Sequence, residues 1–246
     1  MSGHSKWHNI QAKKGKADKA RGNIFTKVAR AITVAAQQGG GDVEMNFSLR
    51  LAVEKAKSVN MPKDNIERAI KRGTGELKDG ATLQEVVYEG FGPGGVAVLV
   101  ETVSDNTNRT VSELKNAFSK HGGSLGSAGS VKWQFNRLGV IRLNAEQGTK
   151  MKGQRPDYEL VLIDAGADDI VDSEYGLEIK CNIDKFKTVT EAVTSLLGSE
   201  DMESSGLEWV AKETLALDAD KSAKMQTLYD ILDEMDDVRE VYTNEA

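Results

Sequence analysis

"EVVYEGFGPGGVAVLVETV", residues 85–103, is where the periodicity of this chain changes. β-Branched and aromatic residues crowd both flanks, each flank is too short for a helix, and Gly92-Pro93-Gly94-Gly95 between them supplies a tight turn. The reading is two strands of a hairpin. A phosphate-cradling glycine loop would follow a strand and open a helix, whereas here a second strand follows. The glycines therefore argue for a hairpin rather than a nucleotide site. They still leave a backbone platform that a large ligand can approach closely.

Ahead of this hairpin the pattern is helical. Ile24, Phe25, Val28, Ile32, Ala35 and Ala36 share one face of a helix that "GGG" (39–41) ends, with Lys27 and Arg30 opposite. A second helix covers residues 45–59. A third covers 62–73, with Pro62 in its first turn and Ile66, Ala69 and Ile70 as its stripe. Extending the first helix back to Lys13 would put Lys14 and Arg21 on its apolar stripe, so a break is expected at Gly22, with a flexible arm before it.

Beyond the hairpin, "NRTVSELKNAFSKHGG" is a helix with Thr110 and Glu113 spaced as a capping box, and "SVKWQF" reads as a strand. Strand "GVIRLN", helix "DYELVLIDAGA", strands "DIVDSEY" and "GLEIKCNI", helix "FKTVTEAVTSLLG" and strand "GLEWVAKET" follow in ferredoxin-like order. A last helix, "KMQTLYDILDEMDD", and a strand, "VREVYTN", supply what the interrupted unit of residues 83–136 lacks. The expected class is α+β: an arm and helical domain over 1–80, an α+β domain over 81–136 plus 208–246, and an inserted ferredoxin-like domain over 137–207.

Charge divides these parts. The 246 residues carry 32 Lys+Arg against 38 Asp+Glu, yet residues 1–30 hold eight basic residues and one acid, Asp18. Residues 1–80 sum to +8 (16 basic, 8 acidic) and residues 81–246 to −14 (16 basic, 30 acidic). Such asymmetry marks an interaction end. Lysines in an apolar-poor segment suit a phosphate backbone, which they bind with release of counterions, and Trp7 adds a ring able to stack on a base. Composition does not choose between DNA and RNA.

Little else points to chemistry. His4 and His8 are four apart but have no further ligand beside them. The acids Asp233, Glu234, Asp236 and Asp237 read as solvated charge, and "DADKS" lacks the glycine and closing glutamate of a calcium loop. Cys181, the one cysteine, reads as a packed thiol in a reducing compartment. No catalytic residue, metal site or cofactor is expected. The longest aliphatic run, Val96–Val100, is far short of the ~20 residues of a membrane helix, and no apolar leader opens the chain. A cytoplasmic monomer that meets no membrane is expected.

The blocks "GHSKWHNI", "KADKARGNIFTKVARAI", "QQGGGD", "NMPKDNIERAIKRGTG", "YEGFGPGG", "SDNTNRT", "HGGSLG" and "LDEMDDVREVYTN" together resemble the YebC/PmpR family, which includes mitochondrial translational activators. The resemblance spans nearly the whole chain. It is looser over residues 140–210, where "NAEQGTKMKGQRPDYE" is longer than the family pattern. The resemblance implies one helical and two α+β domains, no enzymatic activity, and a regulator of gene expression of either of two kinds. One kind is a DNA-binding transcriptional regulator, the other a ribosome-associated translation factor whose partner is ribosomal RNA. Carried onto this chain, it implies nucleic-acid contact by Lys6, Trp7, Lys13, Lys14, Lys16, Lys19, Arg21, Lys27 and Arg30. Secondary contacts are implied at Tyr88, Glu89, Gly90, Gly92, Gly94 and Gly95, and at Asp105, Asn106 and Arg109. With no helix-turn-helix signature and no base-reading Arg/Asn set, RNA is the preferred target. A protein-binding adaptor using its acidic face is the rival of a different class.

Overall fold

The computed structural model describes residues 19–77, 83–199 and 202–246. The chain forms two compact units: residues up to Gln134 with Ala211–Ala246 make one, and Phe135–Val210 the other. The class is α+β, with N-terminal helices followed by two antiparallel sheets.

In the first unit, helices α1 (Lys19–Gly39), α2 (Phe47–Ser58) and α3 (Lys63–Gly73) pack Val28, Ile32 and Ala36 against Leu49, Val53, Ile66 and Ala69. Asn46 sets the α1–α2 corner. Its side-chain oxygen accepts from the Leu49 amide, while Nδ2 donates to the carbonyls of Ala35 and Gly40, both at 2.8 Å. One side chain thus caps the start of α2 and satisfies the end of α1. Gly73 permits the close approach of α3, since a Cβ there would lie 2.3 Å from the Thr33 carbonyl oxygen. The expected break at Gly22 is absent: the helix runs through it from Lys19. A glycine inside a helix costs only about 1 kcal/mol, which continuous backbone hydrogen bonding outweighs. Ile24, placed on the buried stripe by periodicity, is 37 % exposed.

The first sheet has the order β3-β1-β2-β8, from β1 (Gln84–Phe91), β2 (Ala97–Ser104), β3 (Ser124–Leu125) and β8 (Val238–Thr243). The hairpin pairs Phe91 with Ala97 and Gln84 with Ser104. The chain's last strand lies along β2, with Val98 opposite Thr243. Helices α4 (Thr107–Lys120) and α8 (Ala219–Glu234) place Leu114, Phe118, Met225, Leu228 and Leu232 over Val96, Val98, Val100 and Val241. "SVKWQF" is not one strand. Lys132–Gln134 is a single 3-10 turn, and Phe135 begins the next strand.

The second unit runs β4 (Phe135–Asn144), α5 (Ala145–Gln154), α6 (Tyr158–Ala165), β5 (Ala167–Ser173), β6 (Gly176–Cys181), α7 (Phe186–Leu197) and β7 (Ser204–Ala211). Its sheet order, β5-β6-β4-β7, is that of the split βαββαβ unit. Helix α5 lies in the stretch to which the sequence pattern assigns no element. Asn144 and Gln147 close a capping box at its start, and Met151 is fully buried. Within this sheet Arg142 is bound by Glu178 and Glu208, each at 2.7 Å. Burial works against the guanidinium charge, and the two carboxylates outweigh it and raise its pKa.

Candidate nucleic-acid interface

Lys6, Trp7, Lys13, Lys14 and Lys16 lie outside the described residues. Lys19 and Arg21 fall in the first turn of α1. Two turns on, Lys27 and Arg30 hold the helix to the first sheet instead of facing outward. Lys27 donates to the Asp233 carbonyl, with the Asp233 carboxylate 3.8 Å away, and its side chain is 13 % exposed. Arg30 Nη1 bonds the Asp236 carbonyl at 2.6 Å and the Asp237 carboxylate at 2.7 Å. Both residues thus have anchoring partners inside the fold. Ahead of them, residues 6–21 carry six basic groups against Asp18.

Asp237 also holds the secondary positions around Arg109 in place. Its buried carboxylate accepts from Arg109 at 2.8 Å, Thr110 at 2.7 Å, Ser104 at 2.9 Å and Arg30. Burial opposes its ionisation. Those four hydrogen bonds, Arg109 foremost, outweigh burial and hold the carboxyl at about 2. Arg109 also pairs with Asp105 at 3.0 Å, and Asn106 caps α4 by accepting from the Arg109 amide. The capping box expected at Thr110 and Glu113 is thus replaced. The cap sits one turn earlier, and the Thr110 hydroxyl turns inward to Asp237. Asp237, read from the sequence as solvated charge, is the residue that joins α1, α4 and the β8 edge. The signal for it was its place between Met235 and Val238, at the start of a buried strand.

The glycine hairpin is also built inward. A Cβ at Gly90 would lie 2.7 Å from the Phe118 ring, and one at Gly92 2.4 Å from the Met225 sulfur. Gly94 and Gly95 have φ of +76° and +83°, which the turn requires and other residues rarely adopt. Only at Gly95, among the four, would a side chain meet open space. Glu89 is buried and its carboxylate accepts the amides of Gly129, Val131 and Lys132 at 2.6–2.8 Å. Burial pushes its pKa up, and these amides more than reverse that, leaving it lowered. Tyr88 packs on the core of the first sheet, and burial with the nearby Asp237 charge raises its pKa. Each of the secondary positions but Gly95 thus has a job inside the fold.

Burial, with the charges of Asp168 and Asp184, pushes the Cys181 thiol up to about 11, far from a reactive thiolate. Among the described residues no group of His, Cys, Asp and Glu is arranged to hold a metal ion, and no helix is long and apolar enough to cross a membrane. Exposed basic side chains do occur on the helical body, at Lys55, Lys57, Lys63, Arg68, Lys71 and Arg72, none of which the sequence reading placed among the contacts. Exposed Asp42, Glu44, Glu54, Asp64, Glu67 and Glu76 balance them. The positive surplus stays at the N-terminal end.

Family comparisons agree with these blocks. Residues 5–76 match the model described as the TACO1/YebC protein N-terminal domain, and residues 83–245 match that of the TACO1/YebC second and third domain. A relative from Treponema pallidum is 48 % identical over 244 residues, covering 99 % of this chain and 96 % of its own. One from Geobacter sulfurreducens is 46 % identical over 247 residues, covering 99 % and 95 %. Both bear the name "Probable transcriptional regulatory protein". A crystal structure of a conserved hypothetical protein from Aquifex aeolicus superposes with a TM-score of 0.83 at 40 % identity, covering 95 % of this chain and 93 % of that one. With both family models matched in sequence order and relatives aligned along nearly the full length, the chain belongs to the TACO1/YebC family.

Proposed function

We propose that this protein is a non-enzymatic regulator of gene expression that binds nucleic acid through residues 6–21, and that its target is RNA on the ribosome. One observation carries the reading. After Lys27 and Arg30 are assigned to internal anchoring, six basic residues against one acid still stand in this short segment of an otherwise acidic protein. Lysines at that density neutralise successive phosphates, and binding of this kind weakens with salt by a log–log slope of about −0.7 per contact on single strands. A cytoplasmic, monomeric protein fits this role.

The second reading, DNA-bound transcriptional regulation, is favoured by the relatives' printed name. In-cell crosslinking with sequencing of bound RNA and DNA separates the two. Reads on ribosomal RNA that vanish when Lys13, Lys14, Lys16 and Lys19 become alanine support the translation reading, and reads on promoter DNA overturn it. Lys27→Ala with Arg30→Ala is the companion variant. It is expected to lower stability while leaving the salt slope of the remaining binding unchanged. Function retained by the four-lysine variant would instead favour an adaptor that binds protein.

A further inference from the structure

Trp133 is 67 % exposed, and it is held in place from every backbone side. Its indole Nε1–H donates to the Ser130 carbonyl at 3.1 Å, so the ring's one polar group is already satisfied. The Trp133 carbonyl accepts from Lys212 Nζ at 2.7 Å, and the Gln134 carbonyl accepts from the Lys212 amide at 2.9 Å. Asn244 Nδ2 donates to the Gln134 side chain at 3.2 Å. The turn on the other side, residues 129–132, hangs from the buried Glu89 carboxylate by three amides. A large aromatic ring is thus held by its N–H and by the backbone that carries it while two thirds of it stands in water. Nothing in its local bonding requires that exposure, because a turn of this kind holds its shape through backbone groups.

We propose that Trp133 is a stacking platform for an unpaired nucleobase of single-stranded RNA, with Lys212 beside it to meet the adjoining phosphate. This rests on the nucleic-acid reading above and adds to it a second contact, remote in sequence from the basic segment. The chemistry argues for a base rather than an apolar protein surface. The exposed group is one flat aromatic ring, and Lys132, its neighbour in sequence, and Lys212, bonded to its carbonyl, are both exposed. The Lys212 ammonium has three N–H donors and gives one to the Trp133 carbonyl, so two remain for phosphate oxygens. A ring immobilised before binding loses little freedom when a base stacks on it. Base–aromatic stacking is sequence-tolerant and depends on a base whose face is not already stacked in a duplex.

The test is fluorescence anisotropy with a labelled, unstructured short RNA and a labelled duplex DNA, comparing the unaltered protein with Trp133→Ala and Trp133→Phe. The expected result for Trp133→Ala is a loss of affinity for the single strand of about five-fold to more than a hundred-fold. The duplex should be little affected. The salt slope should be unchanged, since no charge is removed, and Trp133→Phe should recover most of the affinity by keeping a ring. Circular dichroism melting of the variants identifies any loss due to misfolding, and if the alanine variant melts early Trp133→Leu carries the test, since it keeps apolar bulk without an aromatic face and should lose single-strand affinity as the alanine variant does. Equal single-strand affinity in all three proteins would overturn the proposal and leave the basic segment as the binding element. An equal loss on duplex and single strand would also overturn it. Failure of the unaltered protein to bind either probe would overturn the nucleic-acid reading itself.

Discussion

Replacing Asp237 with asparagine removes a charge without changing the volume of the site. Its carboxylate is fully engaged by Arg30, Ser104, Arg109 and Thr110, so an amide would turn one acceptor into a donor facing donors. The expected cost of Asp237→Asn is about 3 kcal/mol of folding stability, measured by urea denaturation at neutral pH. The pH dependence has a definite sign. The folded carboxyl sits at about 2, below the ordinary aspartate value near 4, so its contribution is complete above that value. It is lost as pH falls from about 4 towards 2, and the asparagine variant should show a shallower acid transition across that window. Four acids within five positions look solvated when read in isolation. Only partners 127 to 207 positions away distinguish Asp237 from its neighbours. The same distance effect hid the role of Lys27 and Arg30, because an exposed helix face and a docked one have the same periodicity.

Elements whose hydrophobic period is strong were legible, and those fixed by polar tertiary contacts were not. The hairpin of β1 and β2 follows from two β-rich flanks around a turn that needs Gly94 and Gly95, and α2 and α3 follow from their apolar stripes. The turn at residues 129–134 does not. Val131 and Phe135 suggest a strand, but the amides from Gly129 to Lys132 are drawn to the Glu89 carboxylate, which curls the backbone away from a ladder. Helix α5 was hidden for another reason. Its ten residues include two glycines and few apolar positions, and it is set by the Asn144–Gln147 capping box and the burial of Met151. At this scale Glu89→Gln is informative. The glutamine keeps one acceptor oxygen but loses the charge, so the turn should loosen at a cost of about 1–3 kcal/mol. Hydrogen exchange should show the Gly129, Val131 and Lys132 amides losing protection, while those of β2 change little.

Across the whole molecule, the separation of +8 over residues 1–80 from −14 over the remainder has a consequence for binding. A protein that gripped every polyanion through its basic segment would be trapped by non-specific sites, and acidic units elsewhere on the chain repel a phosphate backbone that approaches out of register. Not all of those acids are available for this, because Asp237, Asp233 and Asp218 are engaged in anchoring and capping contacts. Glu213, Asp220 and Asp236 are exposed and are the ones to neutralise. Converting them to Gln, Asn and Asn should leave the melting temperature nearly unchanged and raise affinity for random-sequence RNA several-fold at low salt. The gain should shrink as salt rises above about 0.15 M, where the Debye length falls below about 8 Å and exposed charges stop sensing a distant backbone. Affinity measured by filter binding across a salt series decides the matter. No gain at low salt would mean that the acidic surface does not restrain binding, and the charge asymmetry would then serve solubility alone.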